Sequence, residues 1–554
     1  MRIARVTLPL LLPLIASAAA AEPDLRSVIA GEAARLPSPA SARIGERLAA
    51  VAGLERVPAS CGTPLASALV RLGSAAPPAL REAVRHLASR PALAAERVLA
   101  SRDTRFMVRY APQGGSGLMG ADRDGNGHPD LVDRIAESLP AAQSYLAPRL
   151  PGAAAPAPVD VYVTDLGPGL EGYAVPDGEA VFIVLDATLQ ADRIMNVVLH
   201  QTVHAQLLLL QPGAPVWWTE GTAAWLEVAG TGGIASHAAA LRGRLGRGGA
   251  GLEDDRLDLL PGALLWPLFL SERAGDSLVV RGIWQEMIDA ASDPIAATES
   301  VLRRSGGALA PALREFAVWN LFTGARDDGR HYAWGGALPE APLHAVGPDL
   351  PLSLGPVEPV LPYGSVAFRL PADGRRGALD VDIRAEGGEP AADLLIHFEE
   401  GDGAPVLVPL TIGPDGSGRT AVPWAAVREI WILLRNEGGG PARFDLRAAL
   451  DPYAPFDLSA LSVEAAVRSI TVQWSTASEK GLIGWNVYRA ESPTGPFRRL
   501  NDVALPASGD GVADTGYVFV DEGMRPGRRY YYQVEGLTGA GLSDRSHAVS
   551  ARLP

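Results

Sequence analysis

Two histidines stand four residues apart near the middle of the chain, in the sequence His-Gln-Thr-Val-His at residues 200–204. On an α-helix this spacing places both imidazoles on one face, one turn apart, where they can share a metal ion. Residues 197–199 and 207–210 are all Val or Leu, which predicts a buried helix over Asp192 to Leu210. The pair alone is a weak motif, because nine histidines allow this spacing to arise by chance.

A carboxylate that could be a third metal ligand follows His204 by 16 residues. Glu220 lies in the sequence Trp-Trp-Thr-Glu-Gly-Thr-Ala-Ala-Trp at residues 217–225, near the start of a second predicted helix, Thr219 to Val228. Two histidines and one carboxylate are a common ligand set for zinc. The alternative is that both histidines are hydrogen-bonded core residues and that Glu220 is only a charge at a helix N-terminus.

The two motifs together resemble the gluzincins, particularly the aminopeptidase-type members. The resemblance implies a zincin-like fold in which His200, His204 and Glu220 bind catalytic zinc. It also implies that the strand Ala180 to Leu185 is the edge strand that pairs with the substrate backbone. The interval between the second histidine and the glutamate is shorter than in typical aminopeptidases, which leaves Glu227 as an alternative third ligand.

The second position of the histidine motif departs from the pattern of active enzymes, which is His-Glu-x-x-His. That glutamate accepts a proton from the attacking water and passes it to the leaving amine. Gln201 is nearly isosteric and can hold a water, but its carboxamide accepts no proton near neutral pH. Zinc affinity depends mainly on the three ligands and their hydrogen-bond partners. We therefore expect zinc binding with impaired or absent hydrolysis, unless another carboxylate such as Glu171, Asp186 or Glu227 replaces the base.

A second metal site is predicted upstream, in the loop of residues 122–133. Oxygen-bearing side chains fill loop positions 1, 3, 5, 9 and 12 of an EF-hand-like pattern, and a glycine stands at position 6. A helix is predicted directly after the loop, from Leu131 to Leu146. The expected calcium ligands are Asp122, Asp124, Asn126, Asp130 and Asp133. The alternative is an Asp- and Gly-rich turn that needs no ion.

The hydropathy pattern predicts a multidomain chain. It comprises an α+β domain, which the gluzincin resemblance implies is a zincin-like metallopeptidase domain, followed by two all-β sandwich domains. In the last of these, Trp474 and Tyr530 look like the core tryptophan and the corner tyrosine of a fibronectin type III domain, so this domain resembles that fold. Residues 106–334 and the two β-domains together resemble a family of secreted bacterial metallopeptidase-like proteins with C-terminal fibronectin-like modules. The expected segments are a signal peptide (1–21), a helical N-terminal segment and candidate pro-region (22–101), the zincin-like domain with the calcium loop (102–337), a Pro-rich linker (338–363), a β-sandwich (364–451) and the fibronectin type III-like domain (456–554).

Composition limits the cellular context and the partners. The basic start, short apolar run and terminal alanines of residues 1–21 are typical of a cleaved secretory signal, so we expect a secreted or periplasmic protein without a membrane anchor after cleavage. A net charge of -14 argues against nucleic acid. The single cysteine, Cys61, excludes an intrachain disulfide. Its thiolate could reach the zinc and keep a pro-form latent, or Cys61 could be an ordinary buried thiol.

Three functions remain open from the sequence. The first is a zinc-binding metallopeptidase relative with impaired hydrolysis, which binds polypeptide in its cleft. The second is an active secreted metallopeptidase that uses another carboxylate as base. The third is a non-catalytic extracellular binding or adhesion protein, whose fibronectin-like domain contacts protein or polysaccharide.

Overall fold

The chain divides into two compact units, Met1–Pro342 and Leu343–Pro554. The predicted signal peptide and most of the predicted helical segment 22–101 lie outside the described residues. The computed structural model describes residues 61–63, 89–112, 122–152, 158–166, 170–256, 259–347, 349–355, 357–372, 375, 377–398, 404–424, 427–451, 457–479, 482–507, 515–538 and 543–554.

The first unit contains a five-stranded sheet in the order β1-β2-β3-β5-β4. Strands β2, β3 and β5 are mutually parallel, and the two edge strands run antiparallel to their neighbours. Nearly every residue of β3 and β5 is buried, as expected for central strands covered on both faces. The strands are β1 (Arg97–Ala100), β2 (Phe106–Tyr110), β3 (Val159–Thr164), β4 (Gly172–Asp177) and β5 (Ala180–Asp186).

Helices make up most of the remainder of this unit. They are α1 (Asp130–Leu146), α2 (Ile194–Leu210), α3 (Val216–Thr231), α4 (Ala238–Gly246), α5 (Leu265–Ala274), α6 (Leu278–Ala290), α7 (Pro294–Arg304) and α8 (Leu309–Leu321). Short 3₁₀ turns occur at Ile234–His237, Leu260–Leu264, Gly324–Arg326 and Gly335–Ala337. Within the described ranges, no helix combines the length and apolar character that crossing a membrane requires.

Helix α2 is the central element of the unit. It contacts β4 and β5 on the sheet, and also α1 and α3. Every residue from Asn196 to Leu207 is buried, because Val and Leu occur on all of its faces. Helix α3 is also deeply buried, and it ends at Gly232, which adopts the left-handed conformation (φ 73°) that favours glycine. The sequence thus places two helices with few exposed faces side by side, and the proposed zinc ligands lie on them.

Two predictions for the sheet are wrong. The predicted strand Ala180 to Leu185 is β5, but it lies inside the sheet between β3 and β4, so β4 and not β5 is the edge strand. Strand β4 includes Pro176, a residue that lacks an N–H and is compatible with an edge position. The sheet also begins at β1, within the segment 22–101 that was predicted to be helical.

The second unit begins with two facing sheets whose side chains form one core. The strand orders are β11-β10-β13-β8-β6 and β12-β9-β14-β7. Alternating and fully apolar segments bounded by Gly, Pro and Asp form these strands. They are β6 (His344–Ala345), β7 (Leu352–Leu354), β8 (Ser365–Pro371), β9 (Ala378–Glu386), β10 (Pro390–Phe398), β11 (Val406–Leu410), β12 (Ser417–Pro423), β13 (Val427–Asn436) and β14 (Arg443–Asp451).

The predicted linker 338–363 is therefore not a free connector. Strand β6 pairs with β8, and β7 pairs with β14. Val360 is fully buried and forms a β-bridge with Ala442. The high proline content was the reason for the wrong prediction, but proline is compatible with short strands at sheet edges.

The last part of the chain is also all-β. Its strands are β15 (Asp457–Ala465), β16 (Ser469–Ser478), β17 (Leu482–Ala490), β18 (Arg498–Arg499), β19 (Leu505–Pro506), β20 (Thr515–Glu522), β21 (Arg529–Thr538), β22 (Ser543–Arg545) and β23 (Val549–Arg552). One sheet has the order β15-β16-β20, and the other has β18-β17-β21-β22, with β19 on β17 and β23 on β21. Trp474, Trp485 and Tyr530 lie in the shared core. The Tyr530 hydroxyl accepts a hydrogen bond from the backbone N–H of Arg525 at 3.0 Å.

The close approach of α3 to the turn Leu260–Leu264 generates a prediction. A Cβ added at Gly221 would lie 2.9 Å from the carbonyl oxygen of Ala263. We expect Gly221→Ala to lower the free energy of unfolding by about 1–3 kcal/mol, because the backbone must move to relieve the overlap. Gly246→Ala is the matched control, since a Cβ there meets nothing within 4 Å. Urea denaturation measures both, and equal midpoints would contradict the close packing of α3.

Candidate metal centre

The predicted zinc ligands meet on α2 and α3. Nε2 of His204 lies 3.1 Å from Nε2 of His200 and 3.0 Å from Oε2 of Glu220. Nε2 of His200 lies 3.5 Å from Oε1 of Glu220. All three residues are at most 4% exposed. The helical spacing of the histidines and the position of Glu220 near the start of α3 bring three potential ligand atoms to one buried point.

The distances fit a tetrahedral zinc ion. Ligands about 2.0–2.1 Å from zinc are separated from one another by roughly 3.3 Å in tetrahedral geometry, close to the separations found here. His200 directs Nδ1 to another carboxylate, as described below, which leaves Nε2 to face the cluster. The chemistry of the donor set, two imidazoles and a carboxylate, is that of zinc sites in hydrolases.

A fourth donor joins these three from a distant part of the chain. Cys61 belongs with His200, His204 and Glu220 to a group whose ligand atoms all lie within 4.8 Å of one another. Among the residues that the structure describes, these four are the His, Cys, Asp or Glu side chains that lie close enough together to hold one metal ion.

Residues 61–63 are fixed along the edge of β4. Cys61 forms a parallel β-bridge with Gly172, and the N–H of Gly62 donates to the carbonyl of Gly172 at 2.9 Å. The backbone N–H of Ala174 donates to the hydroxyl of Thr63 at 2.9 Å. Gly62 and Thr63 are buried, and Cys61 is partly exposed.

Gln201 is the side chain that connects this segment to α2. It is 1% exposed. Its Oε1 accepts a hydrogen bond from the Thr63 hydroxyl at 3.0 Å, and its Nε2 donates to Sγ of Cys61 at 3.3 Å. The amide orientation follows from the network, because the Thr63 oxygen already accepts from a backbone N–H and offers its own hydrogen to Oε1. The degenerate position of the motif is therefore hydrogen-bonded on both sides.

Glu227, the alternative third ligand, has a different position. Its Oε2 lies 3.0 Å from Nδ1 of His200 and 3.0 Å from Nε2 of His237. The amide of Asn196 donates to its Oε1 at 3.2 Å. This arrangement is the one expected of a carboxylate that orients a metal-binding histidine and increases its basicity. Sequence reasoning did not identify His237 or Asn196, and no motif indicates them.

Attraction between the imidazoles and the acidic side chains shifts the pKa values of the cluster. Burial opposes protonation of His200 and His204, but the Cys61 and Glu220 side chains outweigh it and raise the pKa of both imidazoles. Burial likewise opposes ionisation of Glu220, but the two imidazoles lower its pKa. For Cys61, burial and the Glu220 carboxylate oppose ionisation, and the two imidazoles still lower the pKa of the thiol to about 6.

The three carboxylates considered as substitute bases are already bonded to other groups. Glu171 forms a two-fold ion pair with Arg193, at 2.9 and 2.7 Å. Asp186 accepts from the backbone N–H of Leu166 at 2.9 Å, and burial raises its pKa. Glu227 binds His200, as described above.

The predicted calcium loop contains a connected set of oxygen-bearing side chains. The amide of Asn126 donates to Asp124 at 3.1 Å and to Asp133 at 3.2 Å, and the Asn126 backbone N–H donates to Asp122 at 3.1 Å. Asp130 begins α1 and accepts instead from the N–H of the loop's second residue at 2.9 Å. Helix α1 follows the loop as predicted, whereas the loop carboxylates do not form a second metal-type cluster within the described ranges.

The position of Glu227 generates the second prediction. We expect Glu227→Gln to weaken zinc binding by roughly 10–100-fold, because His200 loses the carboxylate that orients it. Competition with a chromophoric chelator measures the affinity. Glu171→Gln is the matched control, since it makes the same change in a carboxylate that binds Arg193 and touches no imidazole. Equal zinc affinities of the two variants would show that Glu227 does not support the ligand.

The comparisons with known proteins assign no family. No family model matches the chain, and no curated protein matches it. Among solved structures, an Fn3-like protein from Clostridium thermocellum is 19% identical over 18% of this chain and 92% of its own, with a TM-score of 0.14. A DUF3823 family protein from Bacteroides ovatus is 14% identical over 34% of this chain and 99% of its own (TM-score 0.16). The FN1–FN3 domains of chicken CNTN1 are 17% identical over 33% of this chain and 66% of theirs (TM-score 0.15). At TM-scores of this size the likeness carries neither a family nor a function for this chain.

Proposed function

We propose that this chain is a secreted, zinc-binding relative of the zincin metallopeptidases in which peptide hydrolysis is impaired or absent. His200, His204 and Glu220 are the proposed protein ligands of the zinc. The observation that carries the proposal is the convergence of two imidazole nitrogens and a carboxylate within 3.0–3.5 Å of one another, on three residues that are each at most 4% exposed. A zinc ion bound there would supply Lewis-acid activation of a water for attack on a peptide carbonyl.

The reason for impaired hydrolysis is the amide at position 201. In an active zincin the corresponding carboxylate moves a proton from the nucleophile to the leaving amine. Gln201 can donate and accept hydrogen bonds, but it cannot carry that proton. The three carboxylates that could replace it are bonded to Arg193, to backbone and Thr188 groups, and to His200. These contacts favour the impaired enzyme over an active enzyme with a substitute base.

Polypeptide is the proposed class of ligand. Strand β4 is the edge strand of the sheet. Residues 61–63 already pair with its start at Gly172 and Ala174, so this edge accepts an extended polypeptide through its N–H and C=O groups. A zinc centre beside such an edge is suited to a peptide carbonyl.

The remaining domains support an extracellular role. The proposed signal peptide, residues 1–21, directs the chain to the periplasm or the outside of the cell. The sequence from 456 to 554 is proposed to be a fibronectin type III-like domain, because two facing sheets enclose Trp474 and because the Tyr530 hydroxyl accepts a hydrogen bond from the backbone N–H of Arg525. Protein or polysaccharide outside the cell is the proposed partner of this domain.

Calcium is the second proposed ion. The proposed ligands are Asp122, Asp124, Asn126, Asp130 and Asp133, which fill the ligand positions of an EF-hand-like loop. Asn126 links Asp124 and Asp133 through its amide group, so the side chains of three proposed ligands lie near one another. The proposed role is structural, since the loop leads directly into α1.

Restoring the missing carboxylate tests the enzymatic proposal. We expect Gln201→Glu to raise peptide hydrolysis above that of the native protein, by up to about 10²–10⁴-fold, because general acid-base help is typically of this size. The measurement is cleavage of a mixed peptide library at saturating zinc.

The control for this experiment combines Gln201→Glu with His204→Ala, which removes a proposed metal ligand and should abolish the gain. Equal, chelator-sensitive hydrolysis by the native protein and Gln201→Glu would overturn the impaired-enzyme proposal. Zinc-free protein after purification without chelators, together with failure to bind added zinc, would overturn the zinc site itself.

Removal of the loop carboxylates tests the calcium site. We expect calcium to raise the melting temperature of the native protein, because an ion that binds only the folded state stabilises it by mass action. Asp122→Ala with Asp124→Ala should abolish this calcium-dependent increase. If calcium shifts the melting temperatures of both proteins equally, the loop is a turn that holds no ion.

A further inference from the structure

We infer that Cys61 is the fourth protein ligand of the zinc, and that Gln201 is the residue that makes a thiolate acceptable there. The inference rests on the proposed zinc site and adds to it a closed coordination sphere. Catalytic zinc sites keep one position for water or substrate, whereas structural sites use four protein ligands. With Cys61 the set becomes one thiolate, two imidazoles and one carboxylate, all within 4.8 Å of one another.

Charge is the first argument for the fourth ligand. Two neutral imidazoles and one carboxylate leave a Zn²⁺ ion with an excess positive charge in a pocket where the three ligands are nearly inaccessible to water. An uncompensated charge in such a pocket is costly. A thiolate brings the sum of ion and ligand charges to zero.

The fit of residues 61–63 to the sheet is the second argument. Gly62 packs tightly, since an added Cβ would lie 3.0 Å from Cδ1 of Leu170 and 3.2 Å from Cβ of Tyr173. Its N–H is bonded to Gly172, and the Thr63 hydroxyl is bonded to the N–H of Ala174. The segment thus occupies the part of the β4 edge next to the cluster, where an extended polypeptide would have to pair. The polypeptide that pairs with this part of the edge is therefore residues 61–63 of the same chain.

The amide at position 201 is the third argument. Gln201 donates to Sγ of Cys61 and accepts from Thr63, so both ends of its carboxamide bond to the same inserted segment. Hydrogen bonds to a ligand sulfur stabilise the thiolate. A glutamate in this position would place a second negative charge against the sulfur and would offer no N–H. Glutamine at position 201 therefore removes the proton carrier and at the same time provides a hydrogen-bond donor to the sulfur of the fourth ligand. The missing base and the additional ligand, the two departures from an active zincin, thus belong to one arrangement.

Cobalt substitution of the full chain tests this inference. Cobalt(II) bound to a thiolate shows a ligand-to-metal charge-transfer band in the near ultraviolet, and Cys61 is the single cysteine, so the band has one source. We expect the native cobalt protein to show this band together with the visible bands of a four-coordinate ion. Cys61→Ser should bind cobalt without the charge-transfer band.

The Gln201 variants separate charge from hydrogen bonding. Gln201→Glu should lose most of the thiolate band, and Gln201→Met, which removes the donor without adding charge, should lose less. Gln206→Glu is the matched control, since Gln206 is on the same helix and donates to the carbonyl of Pro151 at 2.6 Å. That variant should keep the native spectrum.

In the peptide assay, Gln201→Glu with Cys61→Ser should be more active than Gln201→Glu alone, because the competing thiolate is gone.

The outcomes distinguish the two proposals. Native protein that binds one cobalt ion without a thiolate band would overturn the role of Cys61 and leave the three-ligand zinc site intact. An undiminished band in Gln201→Glu would overturn the role of Gln201 as the partner of the thiolate. Failure to bind any cobalt or zinc would overturn the proposed site and, with it, this inference.

Discussion

Electron-pair donors that face one another in a buried pocket can remain together only if positive charge lies between them. Nε2 of His200, Nε2 of His204 and the carboxylate of Glu220 converge in this way. Protons on the imidazoles are one source of that charge: the Cys61 and Glu220 side chains raise the imidazole pKa values, and the imidazoles lower the pKa values of Glu220 and Cys61. A cation and these protons compete for the same donors, so occupation of the site by a metal releases protons. The cluster lies where α2, which contacts β4 and β5, packs against α3.

The part of the site that the sequence predicts is the part fixed by local geometry. Spacing of four residues on a helix dictates that the two imidazoles share a face, and the sequence around Glu220 places a carboxylate near the start of the next helix. The strand Ala180 to Leu185, which is β5, is predicted for a similar reason, because its short apolar run indicates a strand without reference to distant residues.

The remainder depends on contacts between residues far apart in the chain. Cys61 reaches Gln201 across 140 positions, and no local pattern records that pairing. The order of strands in the sheet is also a long-range property, so the apolar run of β5 predicted a strand but not its interior position. The Pro-rich segment before β8 led to the wrong prediction of a linker. A high proline content argues against helices and central strands, but it does not exclude short edge pairings such as β6 with β8, which need only a few N–H groups.

Hydrogen bonding outside the ligand set extends the same electrostatic argument. The two carboxylate oxygens of Glu227 are hydrogen-bonded to His200, His237 and Asn196. Nη1 of Arg193 lies 3.8 Å from Oε1 of Glu227. Burial opposes its ionisation, but the two imidazoles lower its pKa. The ionised Glu227 carboxylate behind His200 makes that imidazole more basic and so a better electron-pair donor to a metal ion. On the other side of the cluster, the Gln201 amide donates a hydrogen bond to the Cys61 sulfur. The network around the site therefore holds a carboxylate behind His200 and an amide donor beside Cys61, an arrangement that supports the proposed zinc site.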